Sequence, residues 1–357
     1  MHSKIPIGVV GLNFGRHIVE QITSGPGAAF FQLAAVCDQN RARADEFAAR
    51  ENVPAYYSLE DLLQRADIPT IGLFTGPIHR SQLLRQILKT GKHILTTKPF
   101  ELDPIEAKAV LMEARHLGLA IHLNSPAPLL SPDLAQIQAW VAEFQLGRPI
   151  GARAEAWHGG GFTEVADGSW FDDPDLCPVA PLYRIGIYLI NDLIRLWGPV
   201  EQVQVMHARL RTGRPTPDTA AAVLRFQNGA LGNLFATFCI NDSEPGESRL
   251  TLNYERGTIY RDVGPRGLDE AHSGSRNRLE LVCTSGQHKR VVRTVECSAI
   301  SGAYQWEAFY RAVRGEQLTQ TVEPQTVVMG LNVIQALKRA GLTQAAETVQ
   351  ESPADES

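Results

Sequence analysis

Residues Ile5 to Val10 form a short apolar run, and the next five, Gly11-Leu12-Asn13-Phe14-Gly15, set two glycines in a tight turn. A helical period follows from Arg16 to Thr23, and a second apolar run, Gln32 to Cys37, ends in Asp38. Strand, glycine turn, helix, strand and acid in this order are the layout of a Rossmann-type nucleotide site. Small residues let the backbone approach a pyrophosphate, whose charge then lies against the open N–H groups of a helix start.

The glycine spacing departs from G-x-G-x-x-G. Asn13 stands at the second glycine position, and the last glycine comes one residue early at Gly15. Asparagine tolerates positive φ, so the turn is expected to survive. The plainer alternative is a β-to-α turn that needs glycine only for packing. Asp38 is placed to accept from the ribose hydroxyls and to repel a 2′-phosphate, which favours NAD. Arg41 and Arg43 just beyond it leave NADP open.

The same grammar continues to about residue 123, with short apolar strands alternating with amphipathic helices. This pattern implies a parallel sheet covered on both faces. Helices are expected over Arg41 to Glu51, after Ser58, over Ser81 to Thr90 and over Pro104 to Leu117, with strands at Ile71 to Thr75, His93 to Thr96 and Leu119 to Leu123. After Asn124, two-residue alternation takes over in eight runs between Ile150 and Val295, and Asn228-Gly229 is a hairpin signal. Helices are expected near Pro181 to Trp197 and Pro324 to Ala340. The fold class is therefore α/β, with a parallel N-terminal domain over 1–123 and an α+β domain over 124–357 built on an open, mainly antiparallel sheet.

At 357 residues, 44% apolar and 20% charged, the chain suits two ordinary globular domains. Its net charge of −5, without a basic cluster, argues against nucleic acid or an acidic membrane surface as partner. The five cysteines are scattered, with no C-x-x-C pair and no histidine at ligand spacing, so no metal site is expected. No apolar run reaches bilayer length. A cytoplasmic setting and a small-molecule partner follow as expectations.

Lys98 follows a strand and precedes Pro99, at the carboxyl end of a parallel sheet, where such sheets hold ligands. A lysine desolvated there can transfer protons. Gly11-Leu12-Asn13-Phe14-Gly15, Ala35-Val36-Cys37-Asp38 and Gly91-Lys92-His93-Ile94-Leu95-Thr96-Thr97-Lys98-Pro99 together resemble the oxidoreductase family named for glucose-fructose oxidoreductase, inositol dehydrogenase and the rhizopine-catabolism protein. The family's Glu-Lys-Pro motif is Thr97-Lys98-Pro99 here, with the glutamate lost. The likeness covers nearly the whole chain and is strongest over the first 123 residues.

The family's Asp-x-Gly-x-His helix corresponds to Arg184-Ile185-Gly186-Ile187-Tyr188, so Arg184 replaces the aspartate and Tyr188 the histidine. Tyrosine there is a known variant; arginine for the aspartate is a departure that puts the usual proton relay in question. At helical spacing Arg184, Tyr188, Asn191 and Arg195 share one polar stripe, opposite Ile185, Leu189, Leu193 and Leu196. A guanidinium one turn from a phenol favours the phenolate, which makes Tyr188 a candidate base or acid. Arg184 can also grip an anionic substrate with a pair of hydrogen bonds, or pair with Asp172 or Asp192.

The resemblance implies a dinucleotide held by Gly11, Asn13, Phe14, Gly15, Arg16, Asp38, Thr75, His79, Lys98 and Pro99. It implies Lys98 and Tyr188 as catalytic groups, and Asn124, Trp170, Arg184 and Tyr188 against the substrate. His158 with Gly159-Gly160-Gly161 is expected on a loop flanking that pocket. The expected activity is hydride transfer between NAD, with NADP open, and a hydroxyl or keto group of a sugar, polyol or related small molecule. Alternatives are a catalytically silent dinucleotide sensor and a glycoside hydrolase that uses bound NAD. Family sheets pair across subunits, which implies a homodimer or homotetramer.

Overall fold

The computed structural model describes residues 3–163, 166–241, 247–264, 276–284, 289–316 and 323–350. The chain divides into two compact units, Met1–Leu129 with Tyr304–Pro324, and Leu130–Ala303 with Gln325–Ser357.

The first unit alternates β1 (Ile5–Val10), α1 (Leu12–Thr23), β2 (Phe31–Cys37), α2 (Arg41–Glu51), β3 (Ala55–Tyr56), α3 (Leu59–Leu63), β4 (Thr70–Leu73), α4 (Arg80–Leu88), β5 (His93–Thr96), α5 (Pro104–His116) and β6 (Ile121–His122). The strands lie in the order β3-β2-β1-β4-β5-β6, all parallel. The order reverses between β1 and β4, which makes their carboxyl ends the switch point where ligands bind in such sheets. Local chemistry sets the helix starts: Ser58 accepts from Asp61 N, Asn40 from Arg43 N, and Asp103 from Ile105 N ahead of Pro104.

One element differs from expectation at a place that matters. Gly11 to Gly15 is not a separate turn: α1 begins at Leu12, and only Gly11 is left-handed, at φ 85°. Asn13 is helical, so its tolerance of positive φ is not called upon. A Cβ on Gly11 would lie 2.9 Å from the backbone carbon and oxygen of Phe74, so the close approach of β1 and β4 at their ends demands glycine.

The second unit opens with α6 (Pro132–Glu143) and β7 (Pro149–Trp157). A π-type turn, Leu182–Gly186, leads into α7 (Ile187–Trp197). Then come β8 (Val200–Ala208), β9 (Thr219–Phe226), β10 (Leu231–Thr237), β11 (Glu247–Tyr254), β12 (Gly257–Gly264), β13 (Arg276–Thr284) and β14 (Arg290–Glu296). The chain next supplies α8 (Trp306–Val313) to the first unit, and closes the second with α9 (Pro324–Thr343) and β15 (Glu347–Thr348). All eight expected strand runs lie in one sheet, ordered β14-β13-β12-β11-β7-β10-β9-β8-β15. Its pairs are antiparallel except β7 with β10. Gly229, at φ 88°, closes the β9–β10 hairpin.

Alternation sorts the faces of that sheet. In β9, Ala220, Ala222, Leu224 and Phe226 are buried while Ala221, Val223 and Arg225 are exposed. The outward face carries Met206, Val223 and Leu231, exposed at 76%, 45% and 50%. In the first unit, α8 lies outside the expected elements. Its Trp306, Phe309 and Tyr310 join Ile7, Val9, Ile18 and Phe31 in one core, with the Phe31 and Phe309 rings stacked at 5.3 Å. Each such aromatic contributes about 1.5–3 kcal/mol by its burial.

Candidate active site

The carboxyl edge of the first sheet brings together Gly11 at the end of β1, Asp38 at the end of β2, Thr75 after β4 and Lys98 after β5. Asp38 is 8% exposed; its Oδ2 accepts Leu12 N at 2.8 Å and Arg43 Nη1 at 3.3 Å, and its Oδ1 accepts Asn40 N at 2.8 Å. The acid thus fixes the start of α1, and Arg43 already holds it. Arg41 instead lies over the Tyr57 ring at 4.2 Å. Gly11, the N-cap of α1, has no side chain to cap it, and Asn13, Phe14 and Arg16 are exposed on its first turns, Arg16 beside His17 at 3.4 Å. Gly15 is buried on Val9.

These residues fit a dinucleotide. Asp38 accepts from Leu12 N and Gly11 O from Gly15 N, so the N–H groups of Asn13 and Phe14 are the first-turn donors placed for a pyrophosphate. Among the described residues Thr75 Oγ1 is buried without a hydrogen-bond partner at the switch point, a polar atom that a bound polar group would satisfy.

Lys98 is braced on every side of its main chain. Lys98 N donates to Asn124 Oδ1 at 3.1 Å, and Thr97 Oγ1 donates to Lys98 O at 3.3 Å. The Lys98–Pro99 peptide is cis. Arg80 Nη1 donates to Thr97 O at 2.6 Å, Pro99 O at 2.5 Å and Phe100 O at 3.2 Å, and its Nη2 donates to Thr75 O. Glu101, 3% exposed, accepts Ser81 N at 2.7 Å and Leu102 N at 2.7 Å.

Two expectations shift as a result. Asn124, expected against the substrate, is 3% exposed and serves the Lys98 backbone. His79 is the exposed, left-handed residue before α4, at φ 52°, and its neighbour Arg80 is the side chain that reaches the loop. A cation in the first turn of a helix opposes the helix dipole, and that anomaly is the available sequence signal for Arg80.

The second unit carries Tyr188 on α7. The π-type turn at Leu182–Gly186 takes Arg184 out of helical phase with Tyr188, Asn191 and Arg195, which share α7; Asn191 is 3% exposed and Leu196 is half-buried. Arg184 lies in that turn, its guanidinium 3.8 Å from the Phe171 ring centre and 4.4 Å from that of Phe238. The two acids weighed as its partners bind other arginines, Asp172 to Arg214 at 2.6 Å and Asp192 to Arg261 at 2.7 Å. Trp170 packs edge-on to Tyr183 and against Phe171. Gly159-Gly160-Gly161 begins a 3₁₀ turn, with His158 Nδ1 accepting from Gly160 N at 2.8 Å.

A cavity of about 440 Å³ opens beside Tyr188, walled by Trp157 and His158 at the end of β7, by Asp192 and Arg261, and by Ile300 to Ala303. Its polar wall is a buried network. Arg261 Nη1 donates to Asp133 at 2.9 Å and Asp192 at 2.7 Å, Ser301 N donates to Asp133 at 3.1 Å, and Ser301 Oγ donates to Asp192. Burial pushes the Asp192 carboxyl up despite Arg261. Burial would lower Arg261, but the two carboxylates raise it. Sequence reasoning misses this network, although Arg261 shares a strand face with the buried Ile259.

Residues 5–125 match the model described as the oxidoreductase family, NAD-binding Rossmann fold, and residues 134–260 match the GFO/IDH/MocA C-terminal domain. The chain belongs to this Gfo/Idh/MocA oxidoreductase family. Among curated relatives, trans-1,2-dihydrobenzene-1,2-diol dehydrogenase of Oryctolagus cuniculus is 28% identical over 57% of this chain and 60% of its own length. UDP-N-acetylglucosamine 3-dehydrogenase of Acidithiobacillus ferrooxidans is 34% identical over 34% of this chain and 38% of its own. The chain thus spans less than two thirds of each. The structure of levoglucosan dehydrogenase in complex with NADH and levoglucosan covers 98% of this chain and 100% of its own at TM-score 0.77 and 17% identity, a likeness of fold. Among the described residues no helix is long and apolar enough to cross a membrane.

Proposed function

We propose that this protein is an NAD-dependent oxidoreductase acting on a CH–OH group of a sugar, polyol or related small molecule, with NADP use left open by Arg43 beside Asp38. In this reading the first unit holds the coenzyme and the second the substrate. Bound NAD supplies a hydride acceptor. The chain's own part is to hold the substrate carbinol and to take its proton. Tyr188 and Lys98 divide that work between them. One receives the hydroxyl proton while the other donates a hydrogen bond to the oxygen, and a cationic Lys98 polarises the ketone in reverse.

The observation that carries this reading is the bracing of Lys98 at the carboxyl edge of the sheet. A surface lysine needs no such support. Family relatives named as diol and sugar dehydrogenases agree with it. Lys98→Met is expected to abolish net change in nicotinamide absorbance across a sugar and polyol panel while NADH binding stays nearly unchanged. Undiminished turnover in Lys98→Met would refute the assignment. Product without net absorbance change in the native protein would point to a hydrolase that uses bound NAD, and tight NADH binding with neither to a silent sensor.

Arg184 favours an acidic substrate within this class. Its guanidinium lies over the rings of Phe171 and Phe238, and a guanidinium is the group that grips a carboxylate with two bonds. Aldonates or uronates should then outperform the matching neutral polyols, and equal kcat/KM for both would reject the idea.

Two further readings rest on the same chain. The outward sheet face with Met206, Val223 and Leu231 is a surface for a second copy, giving a homodimer or homotetramer that light scattering would measure. The five cysteines form no disulfide, which suits a cytoplasmic setting.

A further inference from the structure

We infer that Arg80 is the positioning residue for Lys98, and that the reactivity of the Lys98 amine depends on it. The inference rests on the reading of Lys98 as a proton-transfer group. Its observations come from the first unit alone. Arg80 is 1% exposed. Its Nη1 binds the carbonyls of Thr97 and Pro99, which flank Lys98 on either side, and that of Phe100 beyond them. Through Nη2 it also binds Thr75 O in the loop after β4. One guanidinium thus ties two strand ends together around the residue whose side chain must be aimed.

A neutral loop anchor would do for packing alone. Asn124 already supplies one, accepting from Lys98 N and Thr97 Oγ1. Burying a permanent cation is far more costly than burying an amide. A planar fork of five donors is the side chain able to meet carbonyls from separate segments at fixed angles. Lysine at this place would offer donors from a single point and would not span both loops. The cation also lies beside the main chain of Lys98, where it disfavours a second positive charge, while the buried Glu101 carboxylate of the same loop is taken up by Ser81 N and Leu102 N. Geometry and charge act in the same direction, toward an amine that gives up its proton readily and leaves the sheet edge in one direction.

The test compares Arg80→Met and Arg80→Lys with the native full-length protein, without coenzyme. Competitive acylation by acetic anhydride across a pH series, read by mass spectrometry, gives the titration of Lys98 against Lys4 as an internal reference. Arg80→Met is expected to move the Lys98 titration upward by about one pH unit and to leave Lys4 unchanged. With coenzyme and substrate, kcat is expected to fall by about 100-fold, the order of loss for a misaimed catalytic group, while the Kd for NADH changes by less than about threefold. Arg80→Lys keeps the charge but loses the fork, so kcat should fall while the Lys98 titration stays nearer the native curve.

A folded Arg80→Met protein with native Lys98 labelling and native kcat overturns the inference. Should Arg80→Met not fold, native kcat in Arg80→Lys overturns it instead. The labelling does not use turnover, so it separates the two readings: full activity in Lys98→Met defeats the proposed function, while an unshifted Lys98 titration defeats the role of Arg80.

Discussion

Gly302 lies so close to the ring of Tyr188 that a Cβ on it would come within 2.9 Å of Tyr188 Cε1. Gly302 is also left-handed, at φ 98°. Its neighbour Ser301 is tied to Asp133 and Asp192, so the loop has little room to retreat. The ring of Tyr188 must move instead.

Gly302→Ala is therefore expected to displace Tyr188. Stability should fall by about 1–2 kcal/mol from the left-handed backbone, and kcat by about 100-fold through misplacement of the phenol. Denaturant unfolding and steady-state kinetics measure the two separately. Native kcat in this variant would remove Tyr188 from the mechanism.

Arg261 binds Asp133 and Asp192 in a site where all three side chains are at most 4% exposed. Arg261→Met leaves two buried carboxylates without their cation, and should lower unfolding free energy by about 3–5 kcal/mol. Asp192→Asn should cost less, because it removes a charge that burial disfavours and leaves Arg261 paired with Asp133. Urea midpoints rank the two.

Asp38 holds both Leu12 N and Arg43. Asp38→Ser removes the charge that repels a 2′-phosphate and releases Arg43 to meet one. The ratio of NADPH to NADH affinity is expected to rise by about tenfold or more, equivalent to about 1.4 kcal/mol. Fluorescence titration of the two coenzymes reads this directly.

Burial, with a smaller contribution from His93, pushes His122 down to about 3. In the unfolded chain it titrates near its usual 6.5, so between those values the unfolded state binds the extra proton. Stability from this group is complete above about pH 6.5 and falls as pH drops toward about 3, by up to about 1.4 kcal/mol per pH unit. His122→Phe, which keeps a ring against Phe309, should lose less stability than the native protein between about pH 7 and about pH 5. Parallel curves would show that His122 does not set this slope.

Much of the frame is legible in the sequence because its causes are local. The β5 strand and α2 coincide with their expected bounds, since alternation, caps and Gly91 or Asn40 mark them within a few residues. The eight strand runs of the second sheet are visible for the same reason. At the site, Gly11, Asp38, Thr75 and Lys98 stand out because each closes a strand in a known parallel order. By contrast, the stripe expected on α7 loses Arg184: spacing assumes one helical phase, and the π-type turn around Arg184 changes it.

From the chain alone come the two-sheet plan and the dinucleotide edge, which depend on residues near one another in sequence; Lys98 and Tyr188 are candidates by their places in the family motifs. The folded structure alone decides what holds them. Arg261 and Asp133 are 128 residues apart, Arg80 reaches 20 residues to Phe100, and α8 returns to pack Trp306 against a core begun at Ile7. A buried charge is stable only where partners from distant segments converge on it, and no local period records that convergence.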